Sequence, residues 1–114
     1  MFILVMFKPL FGSEKKGKIL LYLYSNREAY PTEIAKAFKF YLNAVQNQLL
    51  NMERDGILYS RLKGKVRLFG INPRYPFKKE LVAILEKALD FVSKEEKEEL
   101  YTPRLRPRRT GKPY

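Results

Sequence analysis

Residues 31–69, PTEIAKAFKFYLNAVQNQLLNMERDGILYSRLKGKVRLF, decide the architecture. They predict two helices joined by a tight turn and then a basic β-hairpin, an order of parts that few small folds need. Thr32, after Pro31, is placed to cap a short helix from Glu33 to about Lys39, with Glu33 near the positive end of the helix dipole. A longer helix runs from about Leu42 to Arg54 and stops at Asp55-Gly56, where glycine tolerates the left-handed backbone beyond a helix. Ile57–Leu62 and Lys65–Ile71 then alternate as two strands, with Lys63-Gly64 as their turn.

Two helices crossing at a wide angle need a small residue at the crossing. Ala35 suits it, with Ile34, Phe38 and Phe40 beside it, and Val45, Leu49 and Met52 form the inner stripe of the longer helix. Its opposite, early face carries Tyr41, Leu42, Asn43, Gln46 and Asn47. Side-chain amides can pair with N6 and N7 of adenine in the major groove, which makes this a candidate recognition surface. The competing reading is that the amides are ordinary solvated positions and that Tyr41 stacks into the core. Residues 40–53 contain no Lys or Arg. The commonest guanine contact is therefore absent, and A·T-rich or shape features suit this helix better.

In the hairpin, Arg61, Lys63, Lys65 and Arg67 alternate with Leu62 and Val66. Read as simple alternation, all four cations fall on one side, where mutual repulsion asks for an anion such as phosphate. A basic, solvated edge that discourages strand aggregation is the alternative.

Working outward, Met1–Phe11 is an apolar arm, strand or irregular, punctuated by Pro9 and Gly12. Ser13 caps a helix over EKKGKILLYLYS, with Ile19, Leu20, Leu23 and Tyr24 on one face. Asn26–Tyr30 reads as a loop. Beyond Asn72-Pro73, Pro76 fits the first turn of a fourth helix, along which Leu81, Ile84, Leu85, Ala88, Leu89 and Val92 recur with helical spacing. One domain is expected over residues 1–92, with the helix pair at 31–54, the hairpin at 57–71 and the last helix at 76–92. Residues 93–114 form an acidic helical extension and then a mobile basic tail. Arg104, Arg106, Arg108 and Arg109 make that tail either a nonspecific phosphate tether or a solubilising end.

The chain has 114 residues and a net charge of +11, which favours a polyanionic partner such as nucleic acid or an anionic membrane surface. It has no cysteine and no histidine, so a disulfide framework, a Cys/His metal site and an imidazole base are all excluded. No paired-carboxylate motif or phosphate-cradling glycine loop is visible, so no enzyme and no cofactor is expected. The apolar opening MFILVMF is far shorter than the roughly 20 residues of a membrane span and lacks a signal-peptide pattern. A soluble, cytoplasmic protein without a membrane partner is the expectation.

The stretches LFGS (10–13), KILLYL (18–23), EIAKAF (33–38), AVQNQLLNMERDGIL (44–58), SRLKGKVRLFGINPRYPF (60–77) and EL (80–81) resemble the winged helix-turn-helix transcription regulators. The likeness extends to small prokaryotic members associated with minimal nucleotidyltransferases. It implies a mainly α fold with a small β-hairpin (α+β), duplex DNA as partner, and a transcriptional role. Tyr41, Leu42, Asn43, Gln46 and Asn47 would contact the major groove, with Lys36, Lys39, Arg61, Lys63, Lys65 and Arg67 around them. It also implies dimerisation through the flanking helices. The apolar surface of Met1–Phe11 and of the Leu81–Val92 helix exceeds what the core can cover and suits a two-fold homodimer. The alternative is that the arm packs on the last helix of its own chain. Lys39 stands where the family's turn often has glycine, and Tyr41 where a capping serine is usual. Winged helices also serve as protein–protein adaptors, so an antitoxin-like partner of a nucleotidyltransferase is the alternative function. RNA binding finds no supporting RNP-like or GXXG motif.

Overall fold

Ser13 opens the first long helix as its sequence suggests: extended at φ −165°, it accepts the Lys16 amide on its hydroxyl at 2.9 Å. The computed structural model describes residues 9–91. The expectations for residues 1–8, Val92, the acidic extension 93–100 and the tail arginines Arg104, Arg106, Arg108 and Arg109 lie outside the described residues.

The element order is α1 (Glu14–Asn26), β1 (Glu28–Ala29), α2 (Pro31–Phe38), α3 (Leu42–Arg54), β2 (Leu58–Lys63), β3 (Val66–Ile71) and α4 (Lys78–Leu89). The fold is mainly helical with a small antiparallel sheet, as expected. That sheet has three strands rather than a hairpin's two, in the order β1-β3-β2. The additional strand falls where the sequence reads as a loop. Arg27, at φ 71°, turns the chain out of α1 so that Glu28 and Ala29 pair with Gly70 and Phe69.

Helix α1 is the centre of the molecule. A single apolar face was expected, yet Ile19, Leu20, Leu21, Tyr22 and Leu23 are all buried, because α1 packs against β1, β3, α3 and α4 together. A helix surrounded on several sides is apolar nearly all round. Each such side chain contributes about 1.5–3 kcal/mol on burial. Val45, Leu49 and Met52 are buried as the inner stripe of α3, and Ile34, Ala35 and Phe38 complete the crossing with α2. Tyr22 meets Phe38 edge to face, with ring centroids 6.0 Å apart.

Several boundaries differ from the sequence reading. Pro9, Leu10 and Phe11 are helical, not strand or irregular. Helix α2 starts at Pro31, so Tyr30 rather than Thr32 occupies the cap, and its amide donates to Glu33 Oε1 at 2.8 Å. Pro fixes a helix-ready φ and has no N–H to leave unsatisfied, which moves the start forward. Pro76 lies in the turn before α4 instead of in its first turn, and Phe77 is the cap. The hairpin turn is Gly64-Lys65, one residue later than expected, because Lys63 pairs with Val66.

Candidate nucleic-acid interface

The hairpin register sorts the wing cations. Lys63 opposes Val66, Leu62 opposes Arg67, and Arg61 opposes Leu68. Directly opposed residues share a face of the sheet. Arg61 and Lys63 therefore lie on one face and Arg67 on the other, so the expected single row of four cations does not form. A two-residue turn pairs odd-numbered positions with even-numbered ones, and counting every second residue through it misplaces the second strand by one face.

On the outer face, Arg61 donates to Glu28 through Nε at 2.9 Å and Nη2 at 2.8 Å, and Tyr59 donates its hydroxyl to the same carboxylate. The trio bridges β2 to β1 across the central strand, above Gly70. A Cβ at Gly70 would lie 2.7 Å from the Tyr59 hydroxyl oxygen, so only glycine leaves room for the ring. Burial, reinforced by the hydrogen bond and charge of Glu28, pushes the Tyr59 phenol up to about 12. Hydrogen bonding and charge from Glu28 raise the Arg61 guanidinium further above its ordinary value. Arg61 is thus engaged within the sheet. The sequence gives no local sign of this, because its partner lies 33 residues away.

The other face looks toward α3. Arg67 donates to the Ser60 hydroxyl at 2.9 Å, and Ser60 donates to Glu53 of α3 at 2.6 Å. This chain fixes the wing against the helix. Between them lies a cleft of about 470 Å³ lined by Thr32, Gln46, Asn47, Leu50, Lys65 and Arg67 among others. Four of the residues singled out in the sequence meet there: Gln46 and Asn47 from α3, Lys65 and Arg67 from the wing. Thr32 and Leu50 were missed. Thr32 reads as a cap and Leu50 as one more apolar helix position, and only the packing of the hairpin beside both helices brings them to the same opening.

Tyr41, Leu42 and Asn43 stand away from this cleft, at the start of α3. Tyr41 is 83% exposed, so its ring is not stacked into the core. Asn43, Gln46 and Asn47 are exposed, as are Lys36, Lys39 and Lys63. Lys39 adopts the left-handed conformation at φ 58°, ψ 41°, which ends α2 and turns the chain into α3. Tyr41 gives α3 no side-chain cap.

A second opening, of about 430 Å³, shares no lining residue with the first. It is mostly apolar, with Leu10, Phe11, Phe77 and Ile84 in its lining and Lys16 and Glu80 also bordering it. Among the described residues no group of three or more His, Cys, Asp or Glu could hold a metal ion, and no helix is long and apolar enough to cross a membrane.

No family model and no curated protein matches the chain. A solved structure of the AntR antimony-specific transcriptional repressor is similar at a TM-score of 0.52 and 21% identity, over 74% of this chain and 69% of that one. The three-stranded sheet with its hairpin, the helix pair α2–α3 and that likeness together show that this chain has a winged helix fold.

Proposed function

We propose that the chain binds duplex DNA as a dimeric regulator of transcription, with α3 in the major groove and the hairpin on phosphate or in the minor groove. The observation that carries this reading is the cleft where Gln46 and Asn47 meet Lys65 and Arg67. Amides there can read adenine edges while adjacent cations hold the backbone. Tyr41, Leu42 and Asn43 extend the groove contact toward the start of α3. Lys36, Lys39 and Lys63 add phosphate contacts, and the tail residues Arg104, Arg106, Arg108 and Arg109 act as a tether. Arg61 is left out of the contact set, since Glu28 neutralises it. The repressor role in the name of the similar structure supports the regulatory part of the proposal.

The second opening supports the dimeric part of the proposal. Leu10 and Phe77 are 61% and 63% exposed beside it, an apolar surface that a second copy of the chain would cover. Two-fold pairing would also set two α3 helices about one DNA turn apart.

Titration of a labelled A·T-rich and a G·C-rich duplex at several salt concentrations tests the DNA reading. If about six of these nine cations neutralise phosphates, log affinity falls with log salt at a slope of about −5. Replacing Gln46 and Asn47 with Ala should flatten the discrimination between the two duplexes. Discrimination that survives this change removes the amides from the readout.

The exposed apolar residues of this surface favour a second reading. Tyr41, Leu42, Leu50, Leu62 and Val66 are apolar and exposed along α3 and the wing, a pattern suited to a protein partner. Absence of duplex binding at about 50 mM salt, where phosphate contacts are strong, turns the assignment to an adaptor or antitoxin-like partner of a nucleotidyltransferase.

A further inference from the structure

Two lysines of α1 sit on aromatic rings at the corner where α2 passes into α3. Lys18 Nζ lies 5.2 Å from the Phe38 ring centroid and 5.5 Å from that of Phe40, and Lys15 Nζ lies 5.4 Å from Phe40. The two rings are themselves 5.5 Å apart. Among the described residues neither ammonium is in an ion pair; the salt bridge seen there joins Arg61 and Glu28. Ring faces attract a cation but do not neutralise it. They also leave much of an ammonium's three-donor set free for another acceptor. Two unneutralised cations gathered at one phenyl group repel each other, and an anion between them would remove that cost.

Their place in the fold says which anion. Phe40 immediately precedes Tyr41, the cap of α3, and Lys39 beside it is exposed. The corner thus collects Lys15, Lys18, Lys39 and the positive end of the α3 dipole. The helix itself has no cation until Arg54. The other cationic group, Lys65 and Arg67, faces α3 at Asn47 and Leu50. At 1.5 Å per residue, Tyr41 and those two positions are about 9–13 Å apart along the axis. The DNA major groove is about 12 Å wide. A helix with one cationic cluster at its start and another beside Asn47 and Leu50 matches a groove walled by two phosphate strands.

We infer that Lys15 and Lys18, seated on the Phe38–Phe40 ring pair, are a second phosphate-binding flank that grips the strand opposite the one held by Lys65 and Arg67. The inference rests on the duplex-binding reading and extends it to α1, which the sequence marks only as a buttress. It makes the wing one jaw of a clamp and α1 the other.

The test compares salt-dependent duplex binding by the wild-type chain, Lys15→Gln/Lys18→Gln and Lys15→Arg/Lys18→Arg. Loss of two phosphate contacts makes the salt slope shallower by about 2, so the affinity drop between 50 and 200 mM salt shrinks about tenfold. The arginine pair should keep the wild-type slope. A second measurement uses the wild-type chain alone: neutral methylphosphonates are scanned along each strand of a bound duplex. Weakening from both strands flanking the occupied groove supports the clamp. Weakening from one strand only, or a glutamine pair that folds and keeps the wild-type slope, overturns the α1 flank and leaves duplex binding standing. A wild-type chain with no affinity for duplex overturns both.

Discussion

At the scale of the residue, two positions hold conformations or charges that their neighbours impose. Lys39 occupies the left-handed region that glycine enters freely and a side chain enters at a cost of about 1–2 kcal/mol. Lys39→Gly relieves that strain but loosens the unfolded chain, for a net gain of about 0.5–1 kcal/mol. Urea unfolding should show a higher midpoint with an unchanged slope; a lower midpoint would mean that the lysine is held by contacts worth more than the strain. Tyr59 gives a pH dependence. Its phenol is raised from 10.0 to about 12, so its contribution to stability is complete below pH 10 and is lost as pH climbs toward 12. In an alkaline titration of tyrosinate absorbance, the Tyr59 phenol should ionise late, a component that Tyr59→Phe removes. Glu28→Gln should bring that tyrosine down only part of the way, because burial is the largest cause and remains.

At the scale of the element, the wing has two chemically different faces. The outer one is a clasp, Tyr59 and Arg61 on Glu28, which ties β2 to β1 over Gly70. The inner one carries Arg67 toward α3. Arg61→Ala should lower thermal stability while leaving the salt slope of duplex binding unchanged. Arg67→Ala should make that slope shallower by about 1, as one lost phosphate contact would. Equal slope changes in the two variants would contradict this division of the hairpin. The helices were easier to read from sequence than the sheet. Ser13 as cap, the bounds Leu42–Arg54 of α3 and its stripe Val45, Leu49 and Met52 all follow from signals a few residues apart. Strand β1 has no such signal, since two residues carry no period and their partners lie about forty positions away.

At the scale of the whole molecule, the opening bordered by Leu10, Phe77 and Ile84 shares no lining residue with the cleft that holds Gln46, Asn47, Lys65 and Arg67. If a second copy covers it, Phe77→Asp/Ile84→Asp should yield a folded monomer in sedimentation equilibrium. Duplex affinity should then fall by about a hundredfold, since two linked half-sites gain that much from effective concentration. A variant that stays dimeric places the interface elsewhere.

By itself the sequence determined the helix pair, the presence of a hairpin after it and the neutrality of α3, because caps, breakers and helical periods act within a turn or two of chain. The tertiary structure alone decided where the cations gather. That choice depends on strand register, on Glu28 reaching Arg61 across the central strand, and on α1 laying Lys15 and Lys18 over Phe40. Such contacts join residues distant in the chain, and the free energy that selects them belongs to the packed arrangement rather than to any one segment.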